Sequence, residues 1–369
     1  MKKLRLLTIL LIAATAAFTA CNDAGETDGG GSTSVTFETA DTPGDAVDVL
    51  IGTKTIKMIY SNNQTGIIFP YSPLAFTPVD NDKSTLTRKF FMSETEVTNA
   101  LMVEVLQWAY NKGKFSTIVD DHNYLDNTVA WYGDQWLLKF DDRNSKINYS
   151  AGNFTVVPGY ENHPVILVSW CGAIMFCNWL TEMRDGNTLQ VVYTGIDEKW
   201  VVDETIEDAS KTGYRLPSSE EWEYAARYIG TTEPAVGNLA TEYVTKDIRG
   251  GHEDLTAGYY WTPADYASGA KEDYLHETET RGVAWYFFDP AAGLNGPMPV
   301  AQKFSNQLGL YDMSGNVFEW CFNADDIDRV ARGGCYDDKG ADFTRVGAWI
   351  SDDPEGCYSR IGFRFARTQ

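Results

Sequence analysis

Hydrophobic residues recur at helical spacing in a first stretch, between residues 91 and 113. Its apolar positions repeat about every 3.6 residues and comprise Leu101, Met102, Val105, Leu106 and Ala109. Thr98 or Asn99 can cap the start of a helix here, and Gly113 can end it. The pattern therefore predicts an amphipathic helix that fills most of this stretch.

Two later stretches predict further helices. The run HPVILVSWCGAIMFCNWLTEMRDG, residues 163–186, opens with a strand-like apolar segment, Pro164–Val168. Ser169 follows as a suitable N-cap for a helix with one apolar face. In GYRLPSSEEWEYAARY, Ser218 and Glu221 have the spacing of a capping box, which predicts a third helix directly after them.

The rest of the chain has no sustained helical period. Residues 36–88 alternate loosely between apolar and polar positions and predict short strands. Residues 114–162 and 230–282 are polar and irregular, and residues 283–369 predict short strands with tight turns. A few helices among many strands and long loops indicate an α+β fold rather than repeated βαβ units.

The first twenty residues have the composition of a secretory signal. Three basic residues precede the apolar run LLTILLIAATAAF, residues 6–18, which is short for a transmembrane helix. Small residues before Cys21 resemble the lipobox of bacterial lipoproteins, although Phe18 is untypical three places before the cysteine. We expect export and lipidation of Cys21, with ordinary signal cleavage nearby as the alternative.

The segment that follows Cys21 lacks apolar anchors and is rich in Gly, Ser and Asp, which is typical of a flexible tether. The expected organisation is a signal peptide at 1–20, a lipid-anchor tether at 21–35, N-terminal strands at 36–88 and the main domain at 89–369. Such a protein would be attached to a bacterial membrane through its N-terminal lipid. It would face the periplasm or the cell surface.

Acidic residues outnumber basic ones by 52 to 30, a formal net charge of −22. Removing residues 1–20 takes away three basic side chains and no acidic ones, which makes the mature charge −25. This balance argues against binding to nucleic acid, which needs positive potential, and against electrostatic docking on anionic lipid. It is typical of a solvated surface or of a cation-binding protein.

Six stretches, in a fixed order, carry a resemblance to one family: SETEVTNALM, HPVILVSWCGAIMFCNWLTE, GYRLPSSEEWEYAAR, NQLGLYDMSGNVFEWC, RVARGGCY and SRIGFRFAR. Together they resemble the sulfatase-modifying factor domain, the family of the formylglycine-generating enzyme, over roughly residues 89–367. Any one motif is modestly specific, whereas six in order are highly specific. The resemblance implies a variant of the C-type lectin fold with little regular secondary structure.

The resemblance also implies an oxidation chemistry that this sequence does not support. Formylglycine-generating enzymes oxidise a cysteine of a sulfatase with molecular oxygen and a copper ion, held by two cysteines after a Gly-Gly pair. Here Cys335 stands where those enzymes have a serine, and Asp338 and Phe343 stand at the two cysteine positions. Phe318 replaces a tryptophan of the pattern. Copper(I) prefers soft thiolates, so we expect no copper site of that kind.

A second activity in the same family, iron-dependent sulfoxide synthesis in ergothioneine biosynthesis, requires clustered histidines. The histidines of this chain are scattered: His122, His163, His252 and His276. No pair of them has the spacing of metal ligands. The sequence therefore gives no support to an iron enzyme.

Cys335 has three interpretations. As a lone nucleophile it would need a cationic neighbour, and Arg332 is the nearest in sequence. As half of a disulfide it would pair with Cys321, if the two strands around residues 323–328 form a hairpin centred near Asp328. As a buried free thiol it would only pack. Five cysteines follow Cys21, and an odd number leaves at least one unpaired unless an intermolecular bond forms.

The resemblance implies a calcium site in LYDMSGNVFEW, and a second site within residues 230–290 whose ligands the motifs do not identify. The ligands of the site in LYDMSGNVFEW would be the carboxylates of Asp312 and Glu319 and the backbone carbonyls of Gly315 and Val317. Hard oxygen donors of this kind suit calcium. The alternative is a tight Ser-Gly-Asn turn whose acids are only hydrogen-bonded.

Charged residues recur in the apolar motifs: Arg215, Glu221, Glu223, Arg332 and Arg364. A charge in apolar surroundings persists when it is paired, so we expect buried ion pairs between the helices and the C-terminal strands. The alternative is a ligand-binding cleft lined by Arg332, Asp337 and Asp338.

Three functions follow from these observations. The first is a non-catalytic binding or structural module of the bacterial envelope, with an unknown protein or glycan ligand. The second is an oxidoreductase of the formylglycine-generating type that uses Cys335. The third is a carbohydrate-binding module, which would use loop aromatics: Trp131, Trp136, Tyr259, Tyr260 and Trp261.

Overall fold

The structure, a computed structural model, describes residues 36–73, 75, 82–120, 127–132, 135–140, 144–195, 206–232, 255–287 and 296–369. The expected signal peptide, the tether and Cys21 lie outside these residues, as do His122 and His252. Within the described ranges, no helix is both long and apolar enough to cross a membrane.

Three of the four helices that the structure describes begin where the sequence predicts. Their bounds are α1 (Asn99–Asn111), α2 (Trp170–Asp185) and α3 (Ser219–Arg227). Thr98, Ser169 and Ser218 are the N-caps, and each side chain accepts a hydrogen bond from a first-turn N–H group. These bonds satisfy backbone donors that a helix leaves unpaired at its start.

Two local features differ from the sequence prediction. A fourth helix, α4 (Glu277–Val283), lies in a stretch for which the sequence predicts irregular structure. The pattern does not reveal this helix because seven residues are too few to show a helical period. The segment Pro164–Val168 was expected to be a strand. In the described part of the chain it pairs only at its two ends, through single bridges to Thr98 and Leu138.

Eighteen strands are present in the described residues. They are β1 (Ala46–Ile51), β2 (Lys54–Asn62), β3 (Ile67–Tyr71), β4 (Asp82–Leu86), β5 (Phe90–Ser93), β6 (Ser116–Asp120), β7 (Asn127–Tyr132), β8 (Gln135–Lys139), β9 (Ile147–Ser150), β10 (Asn153–Val156), β11 (Tyr214–Arg215), β12 (Tyr228–Gly230), β13 (Tyr260–Trp261), β14 (Phe318–Asp325), β15 (Asp328–Arg332), β16 (Trp349–Asp352), β17 (Ile361–Gly362) and β18 (Ala366–Thr368). Short strands and four helices confirm the α+β class.

The largest sheet has the strand order β1-β2-β5-β18-β11 and is antiparallel throughout. The C-terminal strand β18 lies between β5 and β11, so the two ends of the domain meet in one sheet. Strands β1 and β2, from the segment 36–88, pair within this sheet as well. Residues 35–369 form one compact unit.

A second sheet, ordered β16-β15-β14-β17, positions the motif residues. In it Glu319 lies opposite Arg332, and Asp325 lies opposite Asp328. The hairpin turns at Asp326, which has a φ of 57°, and a register shift lies between Trp320 and Ala324. The hairpin is therefore centred before residue 327, and the predicted centre near Asp328 is wrong.

Candidate functional site

The Gly-Gly pair after β15 is required by a close approach of two backbones. Gly333 and Gly334 have φ values of 99° and 78°, a region that residues with a Cβ rarely adopt. A Cβ at Gly334 would lie 2.8 Å from the backbone of Phe343. The carbonyl of Gly333 also accepts a hydrogen bond from the N–H of Gly315 at 2.7 Å, which ties this loop to the LYDMSGNVFEW turn.

Cys335 is buried, with 1% of its surface exposed. Burial, and then the charge of Asp338, raises the pKa of its thiol. Arg332 supplies no compensating charge, because its guanidinium pairs with Glu223 on α3. A thiol in this setting is held in its protonated form, which is a poor nucleophile.

The two positions that carry copper-binding cysteines in the enzymes are used here for packing and hydrogen bonding. The Oδ2 atom of Asp338 accepts a hydrogen bond from the N–H of Cys335 at 2.7 Å. Burial raises the pKa of the Asp338 carboxyl to about 6. Phe343 packs edge-to-face on Phe318, with ring centroids 6.0 Å apart. One buried thiol, one carboxyl and two phenyl rings do not fit a copper(I) ion, which prefers soft thiolates.

The proposed disulfide between Cys321 and Cys335 is not formed, and both thiols are free. The hairpin register explains this, because β15 ends at Arg332 and Cys335 lies beyond the ladder. The two side chains also pack in different parts of the core. Cys321 lies in the cluster that contains Trp222, and Cys335 lies in the cluster that contains Trp320.

The expected buried ion pairs are confirmed. Arg215 and Glu221 form a bidentate pair, with N···O distances of 2.6 and 2.8 Å. Arg332 contacts Glu223 at 2.9 Å, and Arg364 contacts Glu319 at 2.6 Å. All of these side chains are nearly or fully inaccessible to solvent. The alternative of a cleft lined by Arg332 is wrong, since its guanidinium is enclosed between α3 and β15.

The residues expected to bind calcium lie between positions 312 and 319, and the carboxylate of Glu319 is already engaged by other side chains. Both carboxylate oxygens of Glu319 accept hydrogen bonds from Arg364, and one of them also accepts from Trp222 Nε1 at 2.6 Å. Asp312 accepts from the N–H of Ala301 through Oδ2, and its Oδ1 has no partner among the described residues.

Arg364 therefore already supplies the positive charge that a cation would bring to Glu319. Within the described ranges, no group of three or more His, Cys, Asp or Glu side chains is arranged to hold a metal ion. The calcium site expected from the motif stays a prediction, with the Glu319 carboxylate engaged by Arg364 and Asp312 Oδ1 left without a partner among the described residues. Gly315 itself is required by the turn, because a Cβ there would lie 2.3 Å from the carbonyl oxygen of Trp285.

Glu96 is a buried acidic residue that the motifs did not identify as part of the site. It is 2% exposed, and neither carboxyl oxygen has a hydrogen-bond partner in the described part of the chain. Burial, and then the charges of Asp312 and Glu319, raises its pKa well above the ordinary value for a glutamic acid. The signal in the sequence that could have identified Glu96 is its position as an acidic residue within the motif SETEVTN.

Two of the five aromatic residues considered for a carbohydrate site are core residues. Tyr259 is 8% exposed and Trp261 is 2% exposed, and their rings stack with centroids 5.9 Å apart. Trp136 and Tyr260 are half-buried. The side chain of Trp131 lies outside the described residues. Tyr259 and Trp261 are therefore not available as the exposed aromatic platform that such a module would use.

Comparison with known proteins relates this architecture to one family. A family model described as a sulfatase-modifying factor enzyme 1-like domain matches residues 60–369, and so begins earlier than the motifs. The formylglycine-generating enzyme of Streptomyces coelicolor is 25% identical over 308 residues, 76% of this chain and 78% of that protein. The chaperone protein LppX of Paenibacillus barcinonensis is 30% identical over 181 residues, 44% of this chain. This match spans 52% of LppX, about half of its length.

The solved structure of Treponema denticola variable protein 1 superimposes with a TM-score of 0.52 at 22% identity, over 88% of this chain and 99% of that one. At this identity the similarity describes the fold alone, and it agrees with the C-type-lectin-like fold expected from the motifs. The family resemblance and the fold class predicted from the sequence are both confirmed. The chain belongs to the sulfatase-modifying factor enzyme 1-like domain family.

Proposed function

We propose that this protein is an exported, lipid-anchored module of the bacterial envelope that binds another molecule and does not generate formylglycine. The observation that supports this proposal is what occupies the two positions at which the enzymes have copper-binding cysteines. Asp338 is bonded to the backbone of Cys335, and Phe343 packs on Phe318. The family scaffold is retained, whereas the thiolate pair that would hold copper is replaced by a hydrogen bond and an aromatic contact.

Two further observations support this proposal. The N-terminal residues have the composition of a lipoprotein signal followed by a tether, which suits a domain displayed at a membrane. A relative that matches 44% of this chain is named a chaperone, and chaperones act by binding other proteins. We therefore infer that a protein is the first ligand to seek.

The absence of oxidase activity is tested by incubating the full chain with copper, oxygen and a cysteine-containing sulfatase peptide. We expect no aldehyde product by mass spectrometry. Turnover that is lost in Cys335→Ser would overturn the proposal. As a matched gain-of-site control, Asp338→Cys combined with Phe343→Cys should acquire copper(I) binding, because it restores two soft ligands.

Export and anchoring are tested separately in bacteria that express the full chain. Membrane fractionation and metabolic lipid labelling should place the wild type in the membrane fraction with a labelled lipid. Cys21→Ala should lose the label and leave the membrane fraction. A soluble, unlabelled wild type would contradict the anchoring part of the proposal and leave the catalytic part unaffected.

A further inference from the structure

Two arginine side chains lie beside Tyr214 at the β11 end of the largest sheet. Strands β18 and β11 pair antiparallel, and Arg367 lies directly opposite Tyr214. Directly opposed residues project from the same face of a sheet, so these two side chains are neighbours. Arg184, in the last turn of α2, places its guanidinium over the Tyr214 ring, 4.9 Å from the centroid. Both guanidiniums are therefore held next to one aromatic ring.

The side chain of Arg367 makes no hydrogen bond and no ion pair with the residues that the structure describes. Its guanidinium packs over the ring of Phe37, 4.1 Å from the centroid, and its Nε atom is buried without a partner. Asp185 and Glu38 are near enough to act on its charge, but within the described ranges neither forms an ion pair with it. Arg367 is thus a half-buried cation without a bonded anion.

The electrostatic balance at Arg367 differs from that at the paired arginines. Burial, and then the like charge of Arg184, lowers the pKa of Arg367. Burial acts against the charged forms of Arg332 and Arg364 as well, but carboxylates outweigh it and raise the pKa of both. The surroundings of Arg367 therefore leave its charge uncompensated, and a bound anion would compensate it.

Arg184 and Tyr214 add further donors. The Nε atom of Arg184 donates to Asp185 Oδ1 at 2.5 Å, and its guanidinium makes no other hydrogen bond in the described part of the chain. The Tyr214 hydroxyl is buried and makes no hydrogen bond of good geometry there. A guanidinium carries several N–H donors in a planar fork that matches the oxygens of an oxyanion. Two such forks and a hydroxyl are available beside one another.

We propose that Arg184 and Arg367 together bind a phosphate group, either free phosphate or a phosphate monoester. A planar carboxylate is filled by one guanidinium, whereas the oxygens of a tetrahedral phosphate can accept from two. A phosphate monoester carries a charge of about −1.5 to −2 at neutral pH, which offsets both cations. Because the whole chain is acidic, short-range contacts and not long-range attraction must select this anion. The inference is independent of the proposed function, since it involves neither Cys335 nor the loop around it.

The test is calorimetric titration of the full chain with sodium phosphate, with sodium chloride at equal ionic strength as the reference. We expect saturable binding of phosphate, and a rise in Tm that chloride does not reproduce. Arg184→Met and Arg367→Met keep an apolar stem and remove the guanidinium, and each should weaken binding by about tenfold or more. Arg360→Met, at an exposed arginine outside the site, should leave the affinity unchanged.

Two further variants separate a binding role from a structural one. Glu38→Gln should strengthen phosphate binding by roughly two- to fivefold, because it removes a carboxylate that repels the anion. In phosphate-free buffer Arg367→Met should unfold at the Tm of the wild type or above it, since the lost charge was uncompensated. Phenyl phosphate distinguishes the two sources of the group: tighter binding than that of inorganic phosphate indicates a monoester, and weaker binding indicates the free ion.

Four results would overturn the proposal. They are no saturable binding of phosphate, an equal rise in Tm with sodium chloride, unchanged affinity in Arg367→Met, and weaker binding in Glu38→Gln. The last of these, together with a lower Tm of Arg367→Met in phosphate-free buffer, would show that Glu38 is the anion that Arg367 serves. Thermal unfolding of each variant verifies that it is folded.

Discussion

Arg364 and Glu319 form a bidentate ion pair with no exposed surface on either side chain. The Nε and Nη2 atoms of Arg364 each lie 2.6 Å from a carboxylate oxygen of Glu319. The guanidinium also donates to the carbonyls of Ser93 and Tyr311 at 3.2 and 2.8 Å. One side chain therefore connects β14, the end of β5 and the turn before residue 312.

Arg364→Met should destabilise the fold strongly, because it leaves the Glu319 carboxylate buried without a counter-charge. Breaking one side of a buried pair costs about 3–5 kcal/mol. Denaturant unfolding at neutral pH measures this loss. Arg360→Met is the matched control, since Arg360 and Asp352 form an exposed pair that is worth at most about 1 kcal/mol. Similar losses in both variants would contradict the importance assigned to burial.

Glu96→Gln should be tolerated. Burial, and then the charges of neighbouring acids, raises the pKa of Glu96 well above its ordinary value, which favours the protonated form, and a protonated glutamic acid resembles glutamine. We expect a change in the free energy of unfolding below about 1 kcal/mol, within the range of a neutral exchange. Glu319→Gln is the comparison, and it should cost several times more because it leaves Arg364 buried and unpaired. Equal costs would show that Glu96 is ionised.

Calcium should leave the wild type unchanged and should stabilise Arg364→Met. In the wild type Arg364 engages both oxygens of Glu319, whereas its removal frees Glu319 beside Asp312. Thermal unfolding in chelator and in millimolar calcium measures the difference, because a ligand that binds the folded state raises its Tm. A calcium-dependent rise in the wild type that is lost in Asp312→Asn would show that the turn binds the ion despite Arg364.

Local sequence patterns were sufficient for α1, α2 and α3 and for several of the buried charges. Thr98, Ser169 and Ser218 are N-caps whose hydrogen-bond partners lie three residues later in the chain. Their role can therefore be predicted from the neighbouring sequence alone. Arg364 was recognisable as a charge in apolar surroundings, and Glu319 was expected as a calcium ligand. Their partnership could not be predicted, because it joins positions 45 residues apart.

Tertiary geometry decided what the sequence could not show. The hairpin register depends on a turn residue with positive φ, Asp326, and on a register shift within β14, and neither has a clear sequence signal. A cavity that Lys146 and Met298 both line joins segments about 150 residues apart that carry no common motif. Glu96 was within a recognised motif, but its burial beside Asp312 appears only in the folded chain.

The loop at Asp338 should make stability depend on pH. Burial raises the pKa of this carboxyl to about 6 in the folded chain, above its ordinary value of 3.8. A group of this kind favours folding while it is protonated, and the contribution is present below pH 3.8 and lost as the pH rises through about 6.

Asp338→Asn keeps an oxygen that can accept the N–H of Cys335 and removes the ionisation. Relative to the wild type, this variant should gain about 1–3 kcal/mol in the free energy of unfolding between acidic and mildly alkaline pH. Denaturant titrations of both proteins across this range measure the difference. A constant difference would show that Asp338 titrates as a solvent-exposed acid. In that case the loop around Asp338 would be open to solvent, and the hydrogen bond from Cys335 to Asp338 would not be a buried one.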